Sequence, residues 1–72
     1  KNYVYSKLLN HNKLFIQGLS NPAKISVYNL LGKLVLSKTT SSEINVDNLQ
    51  SGIYIVKIVD EQNEIVRKFI KN

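Results

Sequence analysis

The sequence predicts an all-β fold, a small antiparallel β-sandwich of about seven short strands in an immunoglobulin-like arrangement. Three observations carry the prediction. Short runs rich in Val, Ile, Leu and Tyr recur along the chain. Polar and glycine-containing turns separate them at near-regular spacing, and no helical period persists long enough to matter.

The elements follow in order. Tyr3-Val4-Tyr5 is a short β-prone opening, followed by the polar turn Asn10-His11-Asn12. Lys13-Leu14-Phe15-Ile16-Gln17 reads as the second strand, ended by Gly18. Asn21-Pro22 marks a turn, because proline fixes φ and removes a backbone donor. Lys24-Ile25-Ser26-Val27-Tyr28 then alternates apolar and polar residues up to its aromatic end.

Asn29-Leu30-Leu31-Gly32 predicts a hairpin connection in which Gly32 takes a positive φ that a β-carbon would resist. Lys33-Leu34-Val35-Leu36-Ser37 is the return strand, and Thr39-Thr40-Ser41-Ser42 a polar loop. Glu43-Ile44-Asn45-Val46 is a short strand. The loop Asp47-Asn48-Leu49-Gln50-Ser51-Gly52 carries one residue of buried character, Leu49, and its first four residues are compatible with a single helical turn.

Ile53-Tyr54-Ile55-Val56-Lys57-Ile58-Val59 is the strongest strand. It is apolar on both faces apart from Lys57, which predicts a central strand covered on each side for much of its length. Asp60-Glu61-Gln62-Asn63 makes the last turn, and Glu64 to Lys71 the closing strand.

The totals bound what this fold can do. A chain of 72 residues is expected to form a single domain, 1–72. A domain of this size buries only about 60% of its unfolded surface. No cysteine can staple it, and no Cys/His cluster can hold a structural metal, so packing and backbone pairing must suffice. A hydrophobic fraction of 43% is enough for a core.

Ten Lys and Arg against five Asp and Glu give a net charge of +5 and a pI near 9.6. That sign permits nucleic acid, an anionic membrane or lipopolysaccharide as partner. The cations are spread over nearly every segment, however, and nine of the ten are lysine. Nucleic-acid binders concentrate their charge and favour Arg. Solubility and protection of sheet edges are the better reading, with no nucleic acid as partner. No apolar run approaches the roughly 18 residues of a membrane span, so direct membrane insertion is not expected. The opening residues alternate like a strand rather than a secretory signal, which places any signal peptide of an exported parent upstream.

Nothing in the sequence assembles a catalytic constellation. His11, the sole histidine, sits between two asparagines without a nucleophile, carboxylate or co-ligand at a recognisable spacing. Asp60 to Glu64 is oxygen-rich but lacks the alternating ligands and glycine of an EF-hand loop, so a polar turn explains it. Three scattered glycines make no phosphate-cradling loop, and the Ser/Thr run at 39–42 has no general base nearby. Tyr3, Tyr5, Tyr28, Tyr54, Phe15 and Phe69 are compatible with a stacking platform, but their strand positions favour core packing. The expectation is a protein that is not an enzyme and needs no cofactor or metal.

From residue 23 onward the order of signals resembles a known family. Ala23 to Val35 is similar to that family's apolar strand, glycine turn and basic-apolar return strand, with Gly32, Lys33 and Val35 at the matching positions. Leu49-Gln50-Ser51-Gly52-Ile53-Tyr54 onward is similar to its LxxGxY strand, matched here by Gly52 and Tyr54. Lys68-Phe69-Ile70-Lys71 resembles the basic-apolar ending. The family is the type A C-terminal sorting domain of the bacterial type IX secretion system.

Each motif alone is weak, and their order gives them weight. Asn29 stands where the family often has Asp, and Gln62-Asn63 where its last turn often has Gly. The usual proline-rich opening is missing, with only Asn21-Pro22 in its place.

The resemblance implies a C-terminal sorting signal that directs an upstream cargo domain of the same parent chain across the outer membrane. Its implied partners are the type IX translocon and a cell-surface, sortase-like peptidase that usually removes the domain. The implied itinerary is periplasmic transit, then the cell surface or the medium. It also implies roles for the matching residues: Gly32 and Gly52 permit turns, and Tyr54, Val56 and Ile58 face the core. Lys68, Phe69, Ile70 and Lys71 form an edge strand open to strand addition. The alternative is a fibronectin- or immunoglobulin-like accessory module that binds carbohydrate or packs on a neighbouring catalytic domain, since a shared sandwich does not fix the job.

Overall fold

The computed structural model describes residues 5–9, 13–17 and 19–71. Its strands are β1 (Tyr5–Leu9), β2 (Lys13–Gln17), β3 (Ala23–Tyr28), β4 (Leu34–Thr40), β5 (Glu43–Asn45), β6 (Gly52–Val59) and β7 (Glu64–Lys71). They build a three-stranded sheet of order β1-β2-β5 and a four-stranded sheet of order β4-β3-β6-β7, and every pairing is antiparallel.

Alternation along the strands turns this pairing into a sandwich. On β3, Ala23, Ile25 and Val27 point inward while Lys24 is exposed. On β6, Tyr54, Val56 and Ile58 are buried on the same side. Leu14, Ile16 and Ile44 of the smaller sheet join Ile25, Val27, Val56 and Ile58 in one buried cluster, each at most 3% exposed. Burying a side chain of this kind contributes about 1.5–3 kcal/mol, and in a domain without cross-links these contacts carry the fold.

The chain passes between the sheets at Ser41-Ser42, where the Ile16 amide donates to the Ser42 carbonyl at 2.7 Å. A bulge interrupts the β3–β4 ladder. Val27 pairs with Leu36 but Tyr28 with Leu34, so Val35 has no register partner. The bulge switches the face of the return strand and puts Leu34 beside Tyr28 on the outer surface.

Several boundaries differ from those the pattern predicts. The opening strand runs from Tyr5 to Leu9 rather than stopping at Tyr5, because Ser6 to Leu9 pair in register with Ile16 to Lys13. Residues 3 and 4, the turn with His11, and Gly18 lie outside the described residues. The return strand continues through Thr39 and Thr40, which pair with Lys24 and Ala23, so the expected loop shrinks to Ser41-Ser42. β-branched threonine accepts the extended backbone, and the neighbouring strand was there to hold it. Residues 47–49 form a turn, closed by the Leu49 amide donating to the Val46 carbonyl at 3.0 Å, and not a helical turn.

The largest correction concerns β6. It is central in its sheet but covered on one side only. Ile53 and Val59 are 40% and 37% exposed, because among the described residues no second layer packs on the outer face of the four-stranded sheet.

Truncating the deepest side chains tests this core. Ile25→Val is expected to cost about 1 kcal/mol and Ile25→Ala about 2–5 kcal/mol, read from the midpoint of urea denaturation.

Candidate functional site

The residues singled out by sequence fall into two groups at one end of the four-stranded sheet. The first is the β3–β4 turn. Asn29 organises it: its side-chain Oδ1 accepts hydrogen bonds from the amides of Leu31 at 2.9 Å and Lys33 at 3.0 Å. The Asn29 backbone is also engaged, its amide donating to the Lys33 carbonyl and its carbonyl accepting from the Gly32 amide, both at 3.0 Å.

Gly32 sits at φ +86° with no atom within 4 Å of where a β-carbon would project. The backbone conformation, and not lack of room, asks for glycine. Lys33 is exposed, and Val35 is half-buried against the core. An aspartate at Asn29 would offer the same acceptor, which explains physically why Asn or Asp serves there.

The second group is the β6–β7 pair with the loop before it. Gly52 opens β6 at φ +156° and stands opposite Lys71. Tyr54 stands opposite Phe69 and Ile53 opposite Ile70. The rings of Tyr54 and Phe69 stack at 5.6 Å between centroids. The Tyr54 hydroxyl donates to the Gln50 carbonyl at 2.6 Å.

Lys71 is 8% exposed. Its ammonium donates to the carbonyls of Val46 at 2.7 Å, Asp47 at 3.2 Å and Leu49 at 2.6 Å. Those three contacts match the three protons of an ammonium. Two side chains thus hold four carbonyls of the loop between β5 and β6.

The four residues of the Lys68-Phe69-Ile70-Lys71 ending therefore separate by parity. Lys68 and Ile70 face out and are exposed, while Phe69 and Lys71 face in. Phe69 and Lys71 are thus parts of the core and its closure, while Lys68 and Ile70 lie on the outer face of the strand. A lysine reads as a solvated residue from composition. The period-2 parity that joins it to Phe69 is the sequence signal that marks it as inward.

Among the described strands β7 is an edge, paired with β6 alone. Near this group, Asn29, Val35, Asn45, Asn48, Leu49 and Tyr54 border an open cleft of about 570 Å³. Its walls are the side chains of three asparagines, two aliphatic residues and Tyr54.

The remaining candidates have structural explanations. Asp60 Oδ1 accepts from the amides of Gln62 at 2.8 Å and Asn63 at 2.7 Å, closing the last turn. Among the described residues no group of three or more His, Cys, Asp or Glu is placed to hold a metal ion. Tyr54 and Phe69 are buried, and Tyr28 is half-buried with the Lys57 ammonium 6.0 Å above its ring. Those three rings therefore form no free stacking platform.

A conserved-family model described as "Secretion system C-terminal sorting domain" matches residues 10–72. The chain belongs to that family. No curated protein matches the chain significantly. The domain of this family is the C-terminal sorting signal of type IX secretion cargo. Membership implies an attached upstream cargo, interaction with the type IX machinery, and export to the cell surface or beyond. The accessory-module alternative finds no support in the match.

Two substitution series test this arrangement by thermal or urea denaturation. Lys71→Ala removes three charge-assisted hydrogen bonds and is expected to cost about 2 kcal/mol or more, whereas Lys68→Ala stays within about 0.5 kcal/mol. Asn29→Ala is expected to cost about 1 kcal/mol through loss of the two side-chain hydrogen bonds that fasten the turn, and Asn29→Asp to leave stability nearly unchanged.

Proposed function

We propose that residues 1–72 act as a single recognition tag without catalytic activity of its own, read by the translocon and then by a sortase-like surface peptidase. The cargo reaches the periplasm by its own signal peptide, the folded tag directs passage through the outer membrane, and the peptidase then removes it. The chemistry belongs to the partners.

The observation that supports this reading is the β7 edge. It is anchored from within by Phe69 and Lys71 and carries Val66, Lys68 and Ile70 on its outer face, with Val66 50% and Ile70 55% exposed. An edge strand offers unpaired backbone groups and alternate side chains, which suits recognition by strand addition. In this reading Gly32, Lys33 and Val35 shape the neighbouring hairpin, while Gly52 and Tyr54 fix the strand that β7 lies on.

The deciding experiment fuses a reporter with a periplasmic signal peptide upstream of residues 1–72 in a host with an intact type IX system. The fusion is expected outside the cell, and the disabled translocon is expected to retain it. A folded fusion held in the periplasm of the intact host would refute the assignment. For the edge, Lys68→Ser with Ile70→Ser is the informative variant, since deleting residues 68–72 would also remove Phe69 and Lys71. Export should fall at least tenfold while the melting temperature changes little.

A further inference from the structure

Among the described strands, four lie at the margins of their sheets: β1 and β5 in the smaller, β4 and β7 in the larger. They are not equally open to another strand. β5 has three residues and β1 five, and the bulge at Val35 interrupts β4. β7 is longer and regular, its eight residues paired with β6 without a break in register. Its far side therefore offers an equally regular row of backbone groups, an edge that invites unwanted pairing unless the sequence guards it.

What guards β7 is charge at its middle. Arg67 stands opposite the buried Val56, so its side chain leaves the strand on the inner face. Lys68 stands opposite Ile55 and leaves it on the outer face. Both are exposed, so two adjacent cations straddle the edge, one on each face. Among the described residues the ion pairs are Lys13–Glu43 and Lys57–Glu64, and neither cation has a carboxylate. The Arg67 guanidinium donates instead to the Val66 carbonyl at 2.9 Å.

This pair decides what can lie alongside. A second β7 related by a two-fold axis and paired over the full strand would set Arg67 against Lys68 and Lys68 against Arg67. A parallel copy in register would set each cation against itself. Like charges directly opposite on adjacent strands are destabilising, so the edge turns away its own copy. The same geometry favours a strand of opposite charge. Consecutive residues of an added strand lie opposite Arg67 and Lys68 and fall on alternate faces, so the complement is two consecutive acids. Val66 and Ile70 flank Lys68 on the outer row, 50% and 55% exposed, and call for apolar neighbours on either side of the acid that faces Lys68.

Resting on the sorting-domain reading and on strand addition at β7, we propose that the tag is read by an extended acidic segment of an export-machinery protein. The segment carries two consecutive acids flanked by apolar residues, one carboxylate meeting Arg67 and the other Lys68. The two cations thus refuse a second tag and select the acidic strand. A lipid surface fits less well: it would approach one face of the strand only, and it has no backbone to pair with the edge.

The test is the export assay with the same 1–72 fusion and the reversed pair, Arg67→Glu with Lys68→Glu. Export is expected to fall at least tenfold with the melting temperature of the domain within about 2 °C of wild type, as suits exposed positions. Arg67→Lys with Lys68→Arg keeps both charges and should export within about twofold of wild type. Wild-type export together with undiminished export of the reversed pair would overturn this inference alone. An equal loss in the charge-conserving pair would overturn it too, since shape rather than charge would then be read. A wild-type fusion that stays inside would instead sink the sorting assignment on which it rests. Binding of the purified chain to phosphatidylglycerol vesicles over phosphatidylcholine vesicles, abolished by the reversal, would overturn the strand partner in favour of lipid. A wild-type dimer in sedimentation that Lys68→Ser with Ile70→Ser dissociates would overturn it in favour of a second copy.

Discussion

The ammonium of Lys71 holds this domain together at its most vulnerable point. The loop between β5 and β6 returns the chain from the smaller sheet to the larger, and its carbonyls turn inward where no strand can pair with them. Buried polar groups left without partners would cost stability that a small core cannot spare. Lys71 takes the carbonyls of Val46, Asp47 and Leu49, and the Tyr54 hydroxyl takes that of Gln50. Tyr54 is in turn fixed by its stack on Phe69, two residues before Lys71 on the same face of β7. Among the described residues no buried side-chain nitrogen or oxygen is left unpaired.

This arrangement divides labour along β7. The inward residues complete the core and the loop, which frees the outward ones from any structural duty. Lys68 and Ile70 can then be chosen by what meets them. The same division holds at the β3–β4 turn, where Asn29 and Gly32 secure the backbone and Leu30 and Leu31 are left to the outside. Both outward sets lie at one end of the four-stranded sheet. A tag works by presenting a constant shape to partners while cargoes vary, and hairpins secured by their own side chains provide that constancy.

Much of the fold was legible because strand periodicity is a local signal. The inward parity of Tyr54, Val56 and Ile58 and the turns at Gly32 and Asp60 follow from it directly. What escaped depends on neighbours distant in sequence. Thr39 and Thr40 read as loop because a polar run has no intrinsic strand signal, and only pairing with Lys24 and Ala23 makes them strand. The β6 run looked covered on both faces because apolar content does not reveal whether a second layer exists. Lys71 illustrates the same limit at the candidate site. Its charge suggested exposure, and its real partners lie 22 to 25 positions earlier in the chain.

The position of the clamp also has a bearing on biosynthesis. β7 is the last strand of the domain to leave the ribosome, and it brings both Phe69 and the ammonium that closes the loop. Until that strand emerges, the Val46–Gln50 loop lacks its fastening and β6 lacks one of its two neighbours. The domain therefore closes only once this strand is in place. Without β7 the domain would lack the ring that stacks on Tyr54 and the ammonium that holds the loop, so one strand decides whether both the core and its closure are complete.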